Sequence, residues 1–134
     1  MTNATQPISP ALTREVGTLF VPTPGIEQLR NYFLVQKLLE HRVRSLMTQV
    51  PFDNNARQLV EMYLSPPPAM TSQNDIQKFY EQEAHELYAS FATYEQSPKF
   101  QESLQILVPY KGKNFSISSI TSVGIQLIID LGEG

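Results

Sequence analysis

The spacing of apolar residues changes along the chain, from a short extended start, through helical steps of three and four, to alternation at the C-terminal end. Val16, Leu19, Phe20 and Val21, bounded by Pro22 and Pro24, predict a short strand, and Pro22, with no N–H to give a ladder, places it at an edge. Thr23 as N-cap and Pro24 at the first helical position open a long helix running from about Pro24 to Gln49. Leu29, Tyr32, Val35, Leu39, Val43, Leu46 and Val50 step by three or four, and Phe33, Leu34, Leu38 and Met47 widen the stripe, so this helix should bury against more than one neighbour.

Pro51-Phe52 breaks the pattern, and Asp53 or Asn54 can cap a short helix with Ala56, Leu59, Val60, Tyr63 and Leu64 on one face. Ser65-Pro66-Pro67-Pro68 ends it, because consecutive prolines cannot continue a helix, and residues 65–72 read as a stiff connector. The cleanest helical period follows, in Ile76, Phe79, Tyr80, Ala84, Leu87, Tyr88, Phe91 and Tyr94, with N-caps on offer from Ser72 to Asp75. This helix holds Lys78 against Asp75, Glu81, Glu83, Glu86 and Glu95, whereas the first long helix holds Arg30, Lys37, Arg42 and Arg44 against Glu27 and Glu40. Complementary flanks predict an antiparallel pair of long helices.

After Ser97-Pro98 two patterns overlap. Phe100, Leu104 and Leu107 fit a helix capped by Ser97, while Leu104, Ile106 and Val108 alternate as a strand would. The turn-forming Lys111-Gly112-Lys113-Asn114 favours a strand over 103–109, returned as a hairpin into Phe115-Ser116-Ile117-Ser118. Val123, Ile125, Leu127, Ile129 and Leu131 then alternate with Gly124, Gln126, Ile128 and Asp130, giving one apolar face and a second that is only half polar. Such a strand needs cover on both sides.

The fold expected is therefore α+β: two long antiparallel helices plus one short helix, packed on a small antiparallel sheet drawn mainly from the C-terminal third. Residues 1–13, with Pro7 and Pro10 among Thr, Asn, Gln and Ser, read as an extended or disordered arm, and 14–134 as a single domain, as a chain of 134 residues suits.

Composition narrows the chemistry. A net charge of -3 argues against nucleic acid as a partner, because that role needs a concentrated positive field to displace counterions from phosphates. With Cys at 0, disulfides, thiolate zinc sites and cysteine nucleophiles are excluded. The first seven residues lack the basic and apolar regions of a secretory signal, and no run approaches the roughly 20 apolar residues of a membrane span. The expected location is cytoplasmic or within a macromolecular assembly.

No segment matches a phosphate loop, dinucleotide fingerprint, zinc-protease helix or nucleophile elbow, so no cofactor, metal or small-molecule ligand is inferred. The one cluster with acid–base potential is Glu81, Glu83, His85 and Glu86, in which Glu81 and His85 stand one helical turn apart; Gln82 stands where a di-iron motif would need a Glu. The row Phe79, Tyr80, Tyr88, Phe91 and Tyr94 reads either as core or as the lining of a pocket. Lys111 and Lys113, at a predicted turn, could touch an acidic partner or solubilise an edge.

The C-terminal strand stands out as a candidate interaction element. Val123, Ile125, Leu127, Ile129 and Leu131 either lie centrally in the chain's own sheet or pair with an edge on another subunit by strand addition. Three functions follow from these readings. The first is a non-enzymatic structural or assembly subunit of a larger complex, of the kind found in viral particles and secretion or injection machines, bound through the arm and the C-terminal strand to other protein subunits as a homo- or hetero-oligomer. The second is a small acidic adaptor or secretion chaperone that dimerises to hold a client segment. The third is a small enzyme using His85 and Glu81.

Overall fold

The computed structural model describes residues 14–133; the arm expected over residues 1–13 lies outside them. Three strands, β1 (Arg14–Pro22), β2 (Phe115–Ile120) and β3 (Gly124–Glu133), form an antiparallel sheet in the order β1-β3-β2. Among the described residues β1 is an edge, in keeping with Pro22. The register lines up one apolar row, with Leu19 and Ile117 flanking Leu127, Val21 and Ile120 flanking Ile125, and Gly17 and Phe115 flanking Ile129. Ile125, Leu127 and Ile129 are buried, each contributing about 2 kcal/mol relative to an exposed position.

β3 therefore sits at the centre, paired on both sides within its own chain. Gly124 allows this: a Cβ there would stand 2.4 Å from Phe20 Cζ and 2.6 Å from the Val21 carbonyl oxygen. Only the absence of a side chain lets β1 approach that closely. The hairpin that returns β2 into β3 turns at Thr121, whose Oγ1 accepts from the backbone N–H of Val123 at 3.2 Å and of Gly124 at 3.4 Å.

Four α-helices follow the periodicities in part: α1 (Tyr32–Thr48), α2 (Ala56–Tyr63), α3 (Gln73–Glu95) and α4 (Pro98–Leu104). The first long helix starts later than Pro24. Gly25 (φ 80°) turns the chain into a short 3-10 segment, Ile26–Gln28, that buries Ile26, and Asn31 (φ 58°) turns it again before α1 begins. Asn tolerates the left-handed region, which makes it an acceptable hinge there. In α3, Ser72 caps by accepting from the Asp75 N–H at 3.4 Å.

The expected strand over 103–109 is helical instead. Ser97 accepts from the Phe100 N–H at 3.4 Å, Pro98 occupies the first turn, and α4 passes into a 3-10 segment, Gln105–Tyr110. Phe100, Ser103 and Leu107, spaced three and four apart, are the buried residues, whereas Val108 of the alternating set is about half exposed. Helical burial of Phe100 and Leu107 thus outweighs the alternation of Leu104, Ile106 and Val108. The Lys111–Asn114 turn makes no hairpin with this segment; Gly112 donates its N–H to the Met47 carbonyl at 2.8 Å, satisfying one of the open carbonyls at the end of α1.

The helices are stacked in sequence order. Phe33 of α1 meets Tyr63 of α2 edge-on at 5.1 Å, so the return pass from the end of α1 brings α2 back antiparallel along it. Phe52, just before α2, packs on Tyr88 and Phe91, while Arg57 reaches back to Gln77 and Glu81, so α2 and α3 are antiparallel too. Arg30 then pairs with Glu83 and Glu86, and Arg42 with Glu95, in the same order along both chains. The long helices α1 and α3 consequently run in the same sense, and the charge complementarity between them is real but joins parallel rather than antiparallel neighbours. The short α2 supplies the intervening pass, and the connector of residues 64–72 separates it from α3.

The core fills the space between these helices and one face of the sheet, with Leu34, Val35, Leu38, Leu39, Val43 and Met47 from α1, Leu87 and Phe91 from α3, and Phe100 and Leu107 beyond. Arg42 closes one margin, its guanidinium 4.0 Å above the Phe52 ring and paired with Glu95. Within the aromatic row of α3, Phe91 and Tyr94 are core, Tyr94 lying 4.8 Å from Phe100, while Phe79, Tyr80 and Tyr88 remain half-buried.

Candidate protein-interaction surface

The outward face of the sheet carries no helix among the described residues. Val16, Phe20 and Ile128 point to it and are 67%, 42% and 39% exposed, interleaved with Thr18, Gln126, Ser116 and Ser119. These apolar side chains belong to adjacent strands: Thr18 pairs with Ile128, Phe20 with Gln126 and Val16 with Asp130. Phe20 lies over Gly124, and a shallow hollow runs between Val16, Phe115, Ser116, Ile128 and Asp130. Asp130 accepts from the Gly132 N–H at 2.9 Å.

The predicted interaction residues divide between surfaces. Ile125, Leu127 and Ile129 are buried in the inward row of the central strand, and β3 offers no free edge for strand addition. Val123 is exposed at the hairpin tip, and Leu131, unpaired at a bulge opposite Glu15 and Val16, covers Gly17. Lys111 and Lys113 are exposed beside the end of α1, and Lys113 lines a hollow with Arg44, Met47, Thr48, Asn114 and Phe115. Val16 and Phe20, which the sequence marks only as strand formers, belong to this outward face. Their signal was present in β1, where Val16, Leu19, Phe20 and Val21 put apolar groups on both faces of one strand.

A second surface lies between α1 and β2. Phe33, Gln36, Lys37, Glu40 and Arg44 form one wall of a hollow of about 270 Å³, and Ile117 and Ile120 form the other. Lys37 sits 5.1 Å from the Phe33 ring and Arg44 5.5 Å from the Phe115 ring. Gln36 donates from Nε2 to the Ile120 carbonyl at 3.2 Å, tying helix to strand at one end.

His85 and Glu81 line an open hollow between α2 and α3 with Asn54, Arg57 and Tyr88. Glu81 lies 3.9 Å from Arg57, and among the described residues no hydrogen bond joins Glu81 to His85. Among the described residues no group of three His, Asp or Glu side chains is placed to hold a metal ion. No helix of the described residues is long and apolar enough to cross a membrane.

Tyr94, among the described residues, has an acidity shifted from its ordinary value. Burial pushes its phenol up, opposed by the neighbouring Thr23 hydroxyl and aided by the negative charge of Glu27. The Tyr94 and Thr23 hydroxyls are both buried and neither completes a hydrogen bond of normal geometry. The two hydroxyls lie together inside the core. Compared with protein-family models, curated proteins and solved structures, the chain matches none of them.

Proposed function

We propose that this chain is a non-enzymatic structural or assembly subunit of a larger protein complex, bound by the outward face of its sheet together with the arm of residues 1–13 that leads into β1. The observation that carries the reading is the row Val16, Phe20 and Ile128, apolar groups on neighbouring strands of a sheet with a helical layer on its opposite face only, among the described residues. A half-covered sheet gains hydrophobic free energy when a neighbouring subunit removes that face from water. The C-terminal strand contributes as the centre of this face, through Ile128, rather than as an added edge.

The test is the mass in solution, by light scattering during size exclusion, of the full chain and of the double variant Val16→Lys/Ile128→Lys. Without its neighbours the full chain should run as a heterogeneous or multimeric species, and the variant as a folded monomer. A full chain that is a well-folded monomer, unaltered by the variant, rejects the reading. The small acidic adaptor or secretion chaperone is the second reading, favoured by the trough between α1 and β2, which has the form of a site for a client segment.

A further inference from the structure

We propose that the trough between α1 and the open edge of β2 binds an extended acidic segment of another protein, added beside β2 as a fourth strand. The inference rests on the reading of the chain as a protein-binding subunit but uses a different surface.

The backbone supplies the first argument. β2 pairs with β3 on one side and with no described strand on the other. Its inward residues Phe115, Ile117 and Ile120 are only half-buried, because α1 stands off from this edge instead of closing over it. A peptide lying there would place alternate side chains against Phe33 and Ile117 while its main chain completed the ladder. The register is limited at one end: Gln36 already occupies the Ile120 carbonyl, and a bulge at Ser118 interrupts the pairing. Main-chain pairing is therefore expected along Phe115 to Ile117.

Charge supplies the second argument. The two hollows on this side share Arg44 and adjoin there, together making a trough along the flank of α1 with Ile120 in the lining of one and Gly112 in that of the other. Lys37, Arg44 and Lys113 line it against Glu40 alone, in a chain whose net charge is -3, and Lys111 follows at its far end. Glu40 is already 3.7 Å from Arg44, and among the described residues no carboxylate pairs with Lys37, Lys111 or Lys113. A segment bearing Glu or Asp would supply those carboxylates, fixing register and speeding encounter. An apolar wall and a strand edge suit a polypeptide better than a nucleic acid, whose recognition would need a broader positive field.

The experiment is fluorescence anisotropy of the full chain with a labelled, end-blocked heptapeptide alternating Glu with Val. Three comparison probes are used: its Lys-for-Glu counterpart, the acidic peptide N-methylated at alternate residues, and single-stranded DNA. The acidic peptide should bind at least tenfold more tightly than the Lys and N-methylated forms, and Lys37→Glu/Lys113→Glu should weaken it at least tenfold without changing the circular dichroism. No binding of the acidic peptide at millimolar protein overturns the proposal, as does equal binding of the N-methylated peptide or tighter binding of DNA. Val16→Lys/Ile128→Lys should leave peptide binding unchanged, and Lys37→Glu/Lys113→Glu should leave the mass in solution unchanged. Failure of the trough is thereby separable from failure of the sheet-face reading.

Discussion

The two faces of β3 are made by consecutive residues of one strand, yet they meet opposite surroundings. Ile125, Leu127 and Ile129 face the helices and are buried, whereas Gln126, Ile128 and Asp130 face away, with Ile128 substantially exposed. Leu127 and Ile128 are both large aliphatic residues, side by side in sequence, so hydrophobicity alone does not decide their environment. The pleat sends them to opposite faces, and among the described residues only one face receives a helical layer. An apolar residue on the uncovered side is therefore part of the surface, and the same residue on the covered side is a contribution to folding.

The comparison is broken most directly by emptying the covered face. Leu127→Ala should cost about 3 kcal/mol, because the cavity lies between two strands and the α1 layer and cannot collapse freely. Urea unfolding followed by circular dichroism measures this, and a loss below about 1 kcal/mol would mean that the inward row is less tightly packed than its burial implies.

Gly124→Ala should cost about 2 kcal/mol by a different route, overpacking against Phe20 and the Val21 carbonyl. Adding Phe20→Ala should restore part of that loss but not all, since the backbone oxygen 2.6 Å from the added Cβ remains. A double variant as stable as Phe20→Ala alone would show that the side chain, not the close approach of β1, excludes a larger residue.

On the uncovered face Ile128→Thr keeps a β-branched residue and should change stability by no more than about 0.5 kcal/mol. Any assembly through that face should weaken in light scattering at the same protein concentration. Equal stability losses for Leu127→Ala and Ile128→Thr would abolish the distinction between the faces.

The smallest effect at neutral pH should come from Tyr94→Phe, which removes a buried hydroxyl that completes no hydrogen bond of normal geometry. Its signature lies in alkali. Because burial raises the phenol of the folded protein above its unfolded value, the folded state holds that proton longer, and stability falls as pH rises past about 10, the ordinary tyrosine value. Urea unfolding at pH 8, 10 and 11 should show this decline in the parent chain and a shallower one in Tyr94→Phe. Identical slopes would show that Tyr94 does not carry the alkaline loss.

Local chemistry written in the sequence determined a good deal of this molecule. The steps of three and four in Ile76 to Tyr94 with Ser72 as cap, the break at Pro66-Pro67-Pro68, the alternation of β3 and the edge position of Pro22 each express a preference that neighbours in sequence can enforce. The half-polar second face of β3 was likewise legible as a surface needing cover. Tertiary structure decided what those preferences left degenerate. Residues 103–109 satisfy both periods, and the space beside Tyr94 chose the helix by burying Phe100 and Leu107. Residues 24–31 could have continued a helix, but burial of Ile26 and the turn at Asn31 delayed it. The place of β3 at the centre of the sheet depended on β1, more than a hundred residues away, fitting over Gly124. The periodicity of a strand states which residues share a face; which face is covered depends on elements remote in the chain, because burial is a property of the packed whole.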